Sequence, residues 1–436
     1  MYDTTASPGT WWEATLPPRF PCPRLQGTET AEVAVIGGGY AGLSAAKTLA
    51  ERGLDTVLLE GGAIGWGASG RNGGICGPGG AKCPDTVLDR RHGDGTAAAW
   101  AVTQAEAITW VRDFCESAGL SEHLQGTGEL ILAHNARAAA ALAAATDAEP
   151  ARYRPVPPSG CSDVARYGGV LDSPAFGLNP LAYVRALADA AIAAGARLRE
   201  NSAVTTWQRD GDRHVLETAE GTLTAEKVLV ATNGFTPLGL SPQLDGLAVP
   251  VISNIVVTRP LSAEERARHP WLTAHPAADT RHMLCYFRLL PDGRLLYGAR
   301  GDLTGNPRGA DRLRAHLVRR IARDLPGFAK AEITHFWRGP IAATARLTPA
   351  VGWLDREHGV AAALGWHGSG IAMASLGGRL AGQLLAGDNR GEAAIPAPMR
   401  GMPPKVPLPR AIPGYVGAAI LAMRLADAWP GLRGRR

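Results

Sequence analysis

The stretch "AEVAVIGGGYAGLSAAKTLAERGLDTVLLE", residues 31 to 60, decides the reading of this chain. "AEVAVI" is a short, nearly unbroken apolar run of the kind that fills a strand buried on both faces. After the glycines, Leu43, Ala46 and Leu49 recur at helical spacing, and Gly53 sits where a C-terminal cap belongs. "DTVLLE" reads as a second buried strand. The triplet Gly37-x-Gly39-x-x-Gly42 is weak alone, because a chain with 54 glycines in 436 residues would contain roughly 0.8 such triplets by chance. Its place between a buried strand and a helix, with the acidic Glu60 closing the next strand, makes it a dinucleotide fingerprint.

Each residue of the motif has a physical task. Gly37 permits a tight turn, Gly39 lets main chain approach a pyrophosphate, and Gly42 lets the helix pack on its strand. Tyr40 and Ala41 complete the turn, whose free N–H groups and positive dipole end hold phosphates. The Glu60 carboxylate accepts from ribose hydroxyls and repels a 2′-phosphate, which favours FAD or NAD over NADP. Beyond Glu60 a nicotinamide enzyme would continue into ordinary helix or strand; this chain runs "GGAIGWGASGRNGGICGPGG" (61 to 80). A flexible linker has no use for Trp66 or the Arg71-Asn72 pair.

Length points to two domains, which can interleave, with room for a large core, and 45% hydrophobic with 19% charged residues describes a globular protein. The net charge of +5 is scattered, which argues against a nucleic-acid partner. Six cysteines form no C-x-x-C pair and no zinc spacing, so a reduced, cytoplasmic chain without a metal site is expected. The first residues show neither the basic nor the apolar region of a secretory leader, and no run reaches the roughly 18 consecutive apolar residues of a transmembrane span.

Further along, helices are expected around 97–118, 136–147 and 179–196. Strands are expected within 196–234, 249–260 and 281–300, the last with a "PDG" hairpin turn. "HGVAAAL" (358–364), "GWHGSG" (365–370) and "IAMASLGGRLAGQLLAG" (371–387) repeat the opening order of strand, turn and helix. Residues 1–30 read as a polar, Pro-rich surface arm. The tail, 391–436, reads as a Pro-rich linker and a short, basic, amphipathic helix packed on the body or on a neighbouring subunit, in preference to a membrane-surface anchor. A homo-oligomer is compatible with it.

Taken together, "AEVAVIGGGYAGLSAAKTLAERG", "IGWGASGRNGG", "VLVATNGFTP", "YFRLLPDGRLLYGAR" and "GVAAALGWHGSGIA" resemble the D-amino-acid oxidase superfamily of FAD-dependent oxidoreductases, in its γ-glutamylputrescine oxidase-like branch. The resemblance runs from about residue 11 to about 387. It implies an α/β, two-domain fold of the glutathione-reductase type, in which a Rossmann-like FAD-binding domain (31–95, 160–245 and 340–390) is interleaved with a β-sheet-rich substrate domain (96–159 and 246–339). It assigns Ser69, Arg71, Asn72, Gly73 and Gly74 to the flavin, and Val204 and Asn233 to the adenosine side and the ring. Gly365, His367, Gly368, Ser369, Gly370 and Ile371 would bring a helix N-terminus to the N1 and C2 carbonyl edge, where reduced flavin is negative. Many relatives carry a histidine where Ser369 stands; His367, two positions earlier, is either its substitute or a structural residue.

The resemblance also implies a reaction: hydride leaves the carbon beside a neutral amine nitrogen for flavin N5, and water hydrolyses the imine to aldehyde and amine. Relatives that oxidise amino acids hold the carboxylate with an arginine in "W-x-G-x-R"; here that position is Ile341, so a small-molecule amine is the expected substrate. Tyr286 and Arg288 share a strand face and are candidates to line the cavity, with His367 a further catalytic candidate. No cysteine lies near Pro340–Ala342, so FAD is expected unlinked. Lys82 is the lysine nearest the flavin loop and a candidate to assist reoxidation by O2, with H2O2 as product, unless another electron acceptor serves. Two alternatives stand: an amino-acid or N-methyl-amino-acid dehydrogenase using Arg71, Arg288 or Arg346 as clamp, and a non-catalytic subunit that carries flavin.

Overall fold

The computed structural model describes residues 7–302, 309–388 and 391–428. Two eight-stranded sheets organise them. In the first, Arg197–Arg199, Thr56–Leu59, Gly27–Ile36, Gly221–Val230 and Val360–Leu364 run parallel in that spatial order. The alternation is plain in the opening strand: Val33 and Val35 join the core on one face, Ala34 and Ile36 the core on the other. Both faces are covered, so an unbroken apolar run is what the strand requires.

The second sheet has the order Ile333–Ala343, Val249–Pro260, Arg294–Asp302, Cys285–Leu289, Ala277–Asp279, Glu129–Leu132, Gly169–Asp172, Tyr153–Val156. The expected hairpin is present, with Gly293 at φ +80° in its turn. The chain passes between the sheets several times. Gly169–Asp172 belongs to the second sheet, and Ile333–Ala343 continues in it past 340. A small third sheet pairs Ile75–Cys76 and Leu124–Gln125 with Phe176–Leu178.

The helix Tyr40–Glu51 ends as expected at Gly53, where the N–H of Gly53 donates to Ala50 and that of Leu54 to Leu49. It packs side by side and parallel with Gly370–Leu385. A Cβ on Gly378 would overlap the Ala41 carbonyl, and one on Gly382 would lie 3.0 Å from that of Ala45. Main chain thus touches main chain along the pair.

Two expectations change. The arm is not merely superficial: Trp11–Ala14 is a helical turn whose Trp12 is buried, its indole N–H donating to the Asn72 carbonyl at 2.9 Å. The run 196–210 is not one strand, because Glu200 turns inward and accepts from the N–H groups of Cys22 and Ile64, ending pairing at Arg199. The tail helix forms over Ile412–Ala428 and packs through Ile412, Val416 and Ile420. Its described part is apolar with a single arginine; the basic end, Arg433 to Arg436, lies outside the described residues.

Gly378→Ala should lower stability by about 1–3 kcal/mol or more, because a methyl cannot share the space of a carbonyl oxygen. Gly160→Ala, into open space, should be near neutral. Denaturation midpoints of the two variants decide this; equal midpoints would contradict the packing.

Candidate active site

The first turn is shaped by what surrounds it. Gly37 has φ +112°, and a Cβ there would lie 2.8 Å from the Ala231 carbonyl oxygen. A Cβ on Gly42 would overlap the Gly37 carbonyl. Glu60 is already engaged: its carboxylate accepts from the N–H of Gly38 at 2.6 Å and of Gly62 at 2.9 Å. Burial raises its pKa while these N–H groups oppose the rise. Glu60 therefore holds the turn in shape. Among the described residues, the N–H groups of Ala41 and Gly42 find no acceptor in the chain.

Ser69 ties the second glycine segment to the first. Its hydroxyl accepts from the Tyr40 N–H at 3.0 Å, and Asn72 donates to the Tyr40 hydroxyl at 3.1 Å while accepting from the Gly74 N–H at 2.8 Å. Arg71 is buried and spent on the loop's own support: it donates to the carbonyls of Trp66 and Arg338 and lies 4.3 Å over the Trp66 ring. Trp337 donates to the Arg71 carbonyl at 2.7 Å, as Trp12 does to that of Asn72. Most of the glycines here answer to protein neighbours. Cβ atoms on Gly70 and Gly74 would overlap the carbonyls of Gly65 and Leu178, and one on Gly73 would lie 2.8 Å from the Tyr286 ring.

In the second turn, Gly365 (φ +79°) donates its N–H to the Asn233 side chain at 2.9 Å, and Asn233 itself adopts φ +49°. Asn233 is thus a brace for the turn. His367 also has positive φ, is buried, and its Nε2 lies 3.3 Å from both the N–H and the hydroxyl of Thr344. Burial pushes its pKa down to about 4, so it is neutral near pH 7. Its ring is thus engaged with the chain's own Thr344. Ser369 precedes the helix Gly370–Leu385, where the N–H groups of Gly370, Ile371 and Ala372 have no acceptor among the described residues. Because Gly378 meets Ala41 and the helices are parallel, this second N-terminus overshoots the first by seven residues, about 10 Å, at the same end of the pair. Val204 lies buried in the core that also contains Val57 and Leu59.

One face of the second sheet closes the other side. Tyr286 pairs with Gly298, Ser253 pairs with both Arg300 and Gly339, and the Tyr286 and Ser253 hydroxyls are 2.9 Å apart. Arg71 lies over Gly339 and Tyr286 over Gly73, so this face looks at the loop 71–74. Tyr286 and Arg288 share it as expected but differ in surroundings. Arg288 is enclosed, donates to the Leu178 carbonyl at 2.7 Å and stacks 5.2 Å from Trp12. Arg346 is spent on the carbonyls of Pro349, Arg400 and Gly401. None of Arg71, Arg288 and Arg346 is free to clamp a carboxylate.

Two residues missing from the sequence reading stand in this recess. Arg300 precedes a bulge at Gly301 opposite Ile252 and Ser253, and its Nη2 lies 3.5 Å from where a Cβ of Gly368 would be, with Ile341 at 3.9 Å. It makes no hydrogen bond or ion pair among the described residues. Glu129, buried at the start of its strand, has its pKa raised to about 8 by burial and by Asp172. A lone acid heading "ELIL" was the available signal for it; Arg300 had none, since a bulge is set by pairing. Lys82 joins them, its Nζ 3.0 Å and the Ser369 hydroxyl 2.9 Å from a Cβ built on Gly79. The lysine is open to solvent yet pushed down to about 8 by the surrounding protein and Arg300, as expected of a group lining a concavity. Two other surface grooves, along Val102–Asp113 and beside Lys47–Arg52, contain none of the expected residues.

The cradle fits FAD in kind: two sets of free N–H groups at parallel helix ends, a carboxylate after the second strand, and a facing sheet. Comparisons agree. The family model described as FAD dependent oxidoreductase (DAO) matches residues 32–384. A probable oxidoreductase OrdL of Rhizobium meliloti (strain 1021) is 34% identical over 409 residues, covering 88% of this chain and 90% of its own. The gamma-glutamylputrescine oxidoreductase of Escherichia coli (strain K12) is 32% identical over 378 residues, covering 84% and 86%. In fold, the crystal structure of glycine oxidase from Geobacillus kaustophilus superposes with a TM-score of 0.67 at 23% identity, covering 84% of this chain and 96% of that one. The chain belongs to the DAO family of FAD-dependent oxidoreductases, enzymes that act on the C–N bonds of amines or amino acids.

Proposed function

We propose that this chain oxidises the C–N bond of an amine in the recess between the second glycine turn and the sheet face of Tyr286, Ser253 and Arg300. The observation that carries this reading is the pairing of a cofactor cradle with a wall in which Ile341 stands at the position where amino-acid-oxidising relatives carry the clamp arginine. On this reading the layer of the first sheet holds FAD without a covalent link, and the second sheet faces the substrate. Bound FAD supplies the hydride acceptor, N5, and water then hydrolyses the substrate imine. The N–H groups of Gly370, Ile371 and Ala372 would hold negative charge at the flavin edge, and Lys82 is the nearest candidate to serve the return of electrons to O2 as H2O2. The Tyr286 hydroxyl, paired with Ser253 and pushed up to about 12 mainly by burial, stays protonated and can orient the amine lone pair.

A second reading keeps this chemistry and gives the amine a carboxylate, because Arg300 is an unspent cation beside Ile341. Anaerobic mixing with amines, N-methylamines and amino acids separates the readings by which class bleaches the flavin; bleaching by none supports a non-catalytic subunit. Admitting air then tests O2 as acceptor. Arg300→Gln should raise KM about tenfold or more for carboxylated amines and leave neutral amines unaffected.

Activity should rise with pH as the amine loses its proton. His367 stays neutral above about 4, so His367→Asn should leave that profile in place; loss of an inflection near 6 or 7 in the variant would contradict its structural role. Glu60→Arg should remove FAD, seen as loss of blue absorbance, and lower the unfolding midpoint because two turn N–H groups lose their acceptor. Full flavin occupancy would refute the assigned cradle.

A further inference from the structure

The helix Ile412–Ala428 lies beyond the span matched to the family and takes no part in the site. Its inner stripe, Ile412, Val416 and Ile420, packs on Met283, Val249, Val251 and Val406. The Asp427 carboxylate also turns inward and accepts from the N–H groups of His282 and Met283, each at 2.9 Å. The helix is therefore fixed to the body along one side, and crossing a bilayer would strip that side bare.

The other side is unusual for a surface exposed to water. Helical spacing places Ala418, Leu421, Ala422 and Leu425 there, with Leu421 61% and Leu425 49% exposed, and Leu408, just before the helix, is 73% exposed. Among the helix's exposed residues only Arg424 is charged. A continuous apolar strip of this kind marks an interaction surface.

Beside it runs Ala310–Asp324, the most arginine-rich helix of the described residues. The two meet at Met283, whose carbonyl accepts from Arg320 while its side chain packs under the tail helix. The charges of Arg319, Arg320, Arg323 and Arg424 all reach His316 and lower its pKa, burial being the larger cause. Arg312, Arg314, Arg319 and Arg323 are exposed, and Arg312 and Arg319 have no ion pair among the described residues. Asp324 is buried under Tyr297 and these arginines, leaving Asp311 as this helix's exposed acid.

We propose that these two helices form one docking face for an anionic lipid surface, with Leu421 and Leu425 entering the acyl boundary and Arg312 and Arg319 meeting lipid phosphates. Apolar insertion beside a cationic rim is the chemistry such a surface recognises. A nucleic acid would leave the leucines in water. A second copy paired about a two-fold axis would bring two arginine-bearing helices together with little acid to offset them.

The test uses the FAD-loaded full chain sedimented with vesicles of phosphatidylcholine alone or mixed with phosphatidylglycerol. Binding should require phosphatidylglycerol and weaken with salt. The double variant Leu421→Glu, Leu425→Glu should lose at least about tenfold in vesicle partitioning. The double variant Arg312→Glu, Arg319→Glu should bind more weakly and lose the salt dependence. Unchanged flavin absorbance and unfolding midpoint establish that both variants fold. Failure of the wild type to sediment with phosphatidylglycerol, equal binding by all three proteins, or a dimer that the leucine variant dissociates would each overturn the proposal.

Discussion

The contact on which the rest depends is the parallel packing of Tyr40–Glu51 on Gly370–Leu385, main chain against main chain. Gly378 and Gly382 allow it, and without their bare Cα atoms the helices would stand farther apart. The register of that contact sets how far one N-terminus projects beyond the other. One cofactor can therefore be held at two places by two helix dipoles, although the motifs lie over 300 residues apart in the chain.

Around this pair the chain spends its buried polar groups on holding loops still. Ser69, Tyr40 and Asn72 form one network, and Trp12 and Trp337 reach the carbonyls of neighbouring loop residues from opposite ends of the sequence. Each such bond contributes about 1 kcal/mol net, modest singly, but an unpaired buried donor would cost more. A loop held this way is ordered before any ligand arrives, which lowers the ordering cost of binding. Arg71 and Arg288 serve this scaffold, their guanidinium groups spent on carbonyl oxygens and indole faces.

What remains unspent marks the working face. Half-buried Arg300 and buried Glu129 stand in or beside a recess without, among the described residues, the ion-pair partners that buried charges ordinarily demand, and Lys82 stands beside them open to solvent. Glu60 and Asn233, read from sequence as ligand contacts, also brace the turns they belong to.

The amino-acid sequence by itself determined the first buried strand, its glycine turn and helix, the closing strand-turn-helix and the family, because these signals are local: periodicity, a cap, a glycine at a positive φ. That Tyr286 and Arg288 share a face was likewise legible from alternation along one strand; that this face meets the glycine loop was not. Only the tertiary structure decided which arginines are free, since that depends on carbonyls supplied from distant segments. It alone revealed Arg300, aimed by a bulge that exists only through pairing with Ile252 and Ser253. Trp12 under the flavin loop and Glu200 breaking a strand belong to the same class: each is fixed by a partner far off in the chain, which no local pattern encodes.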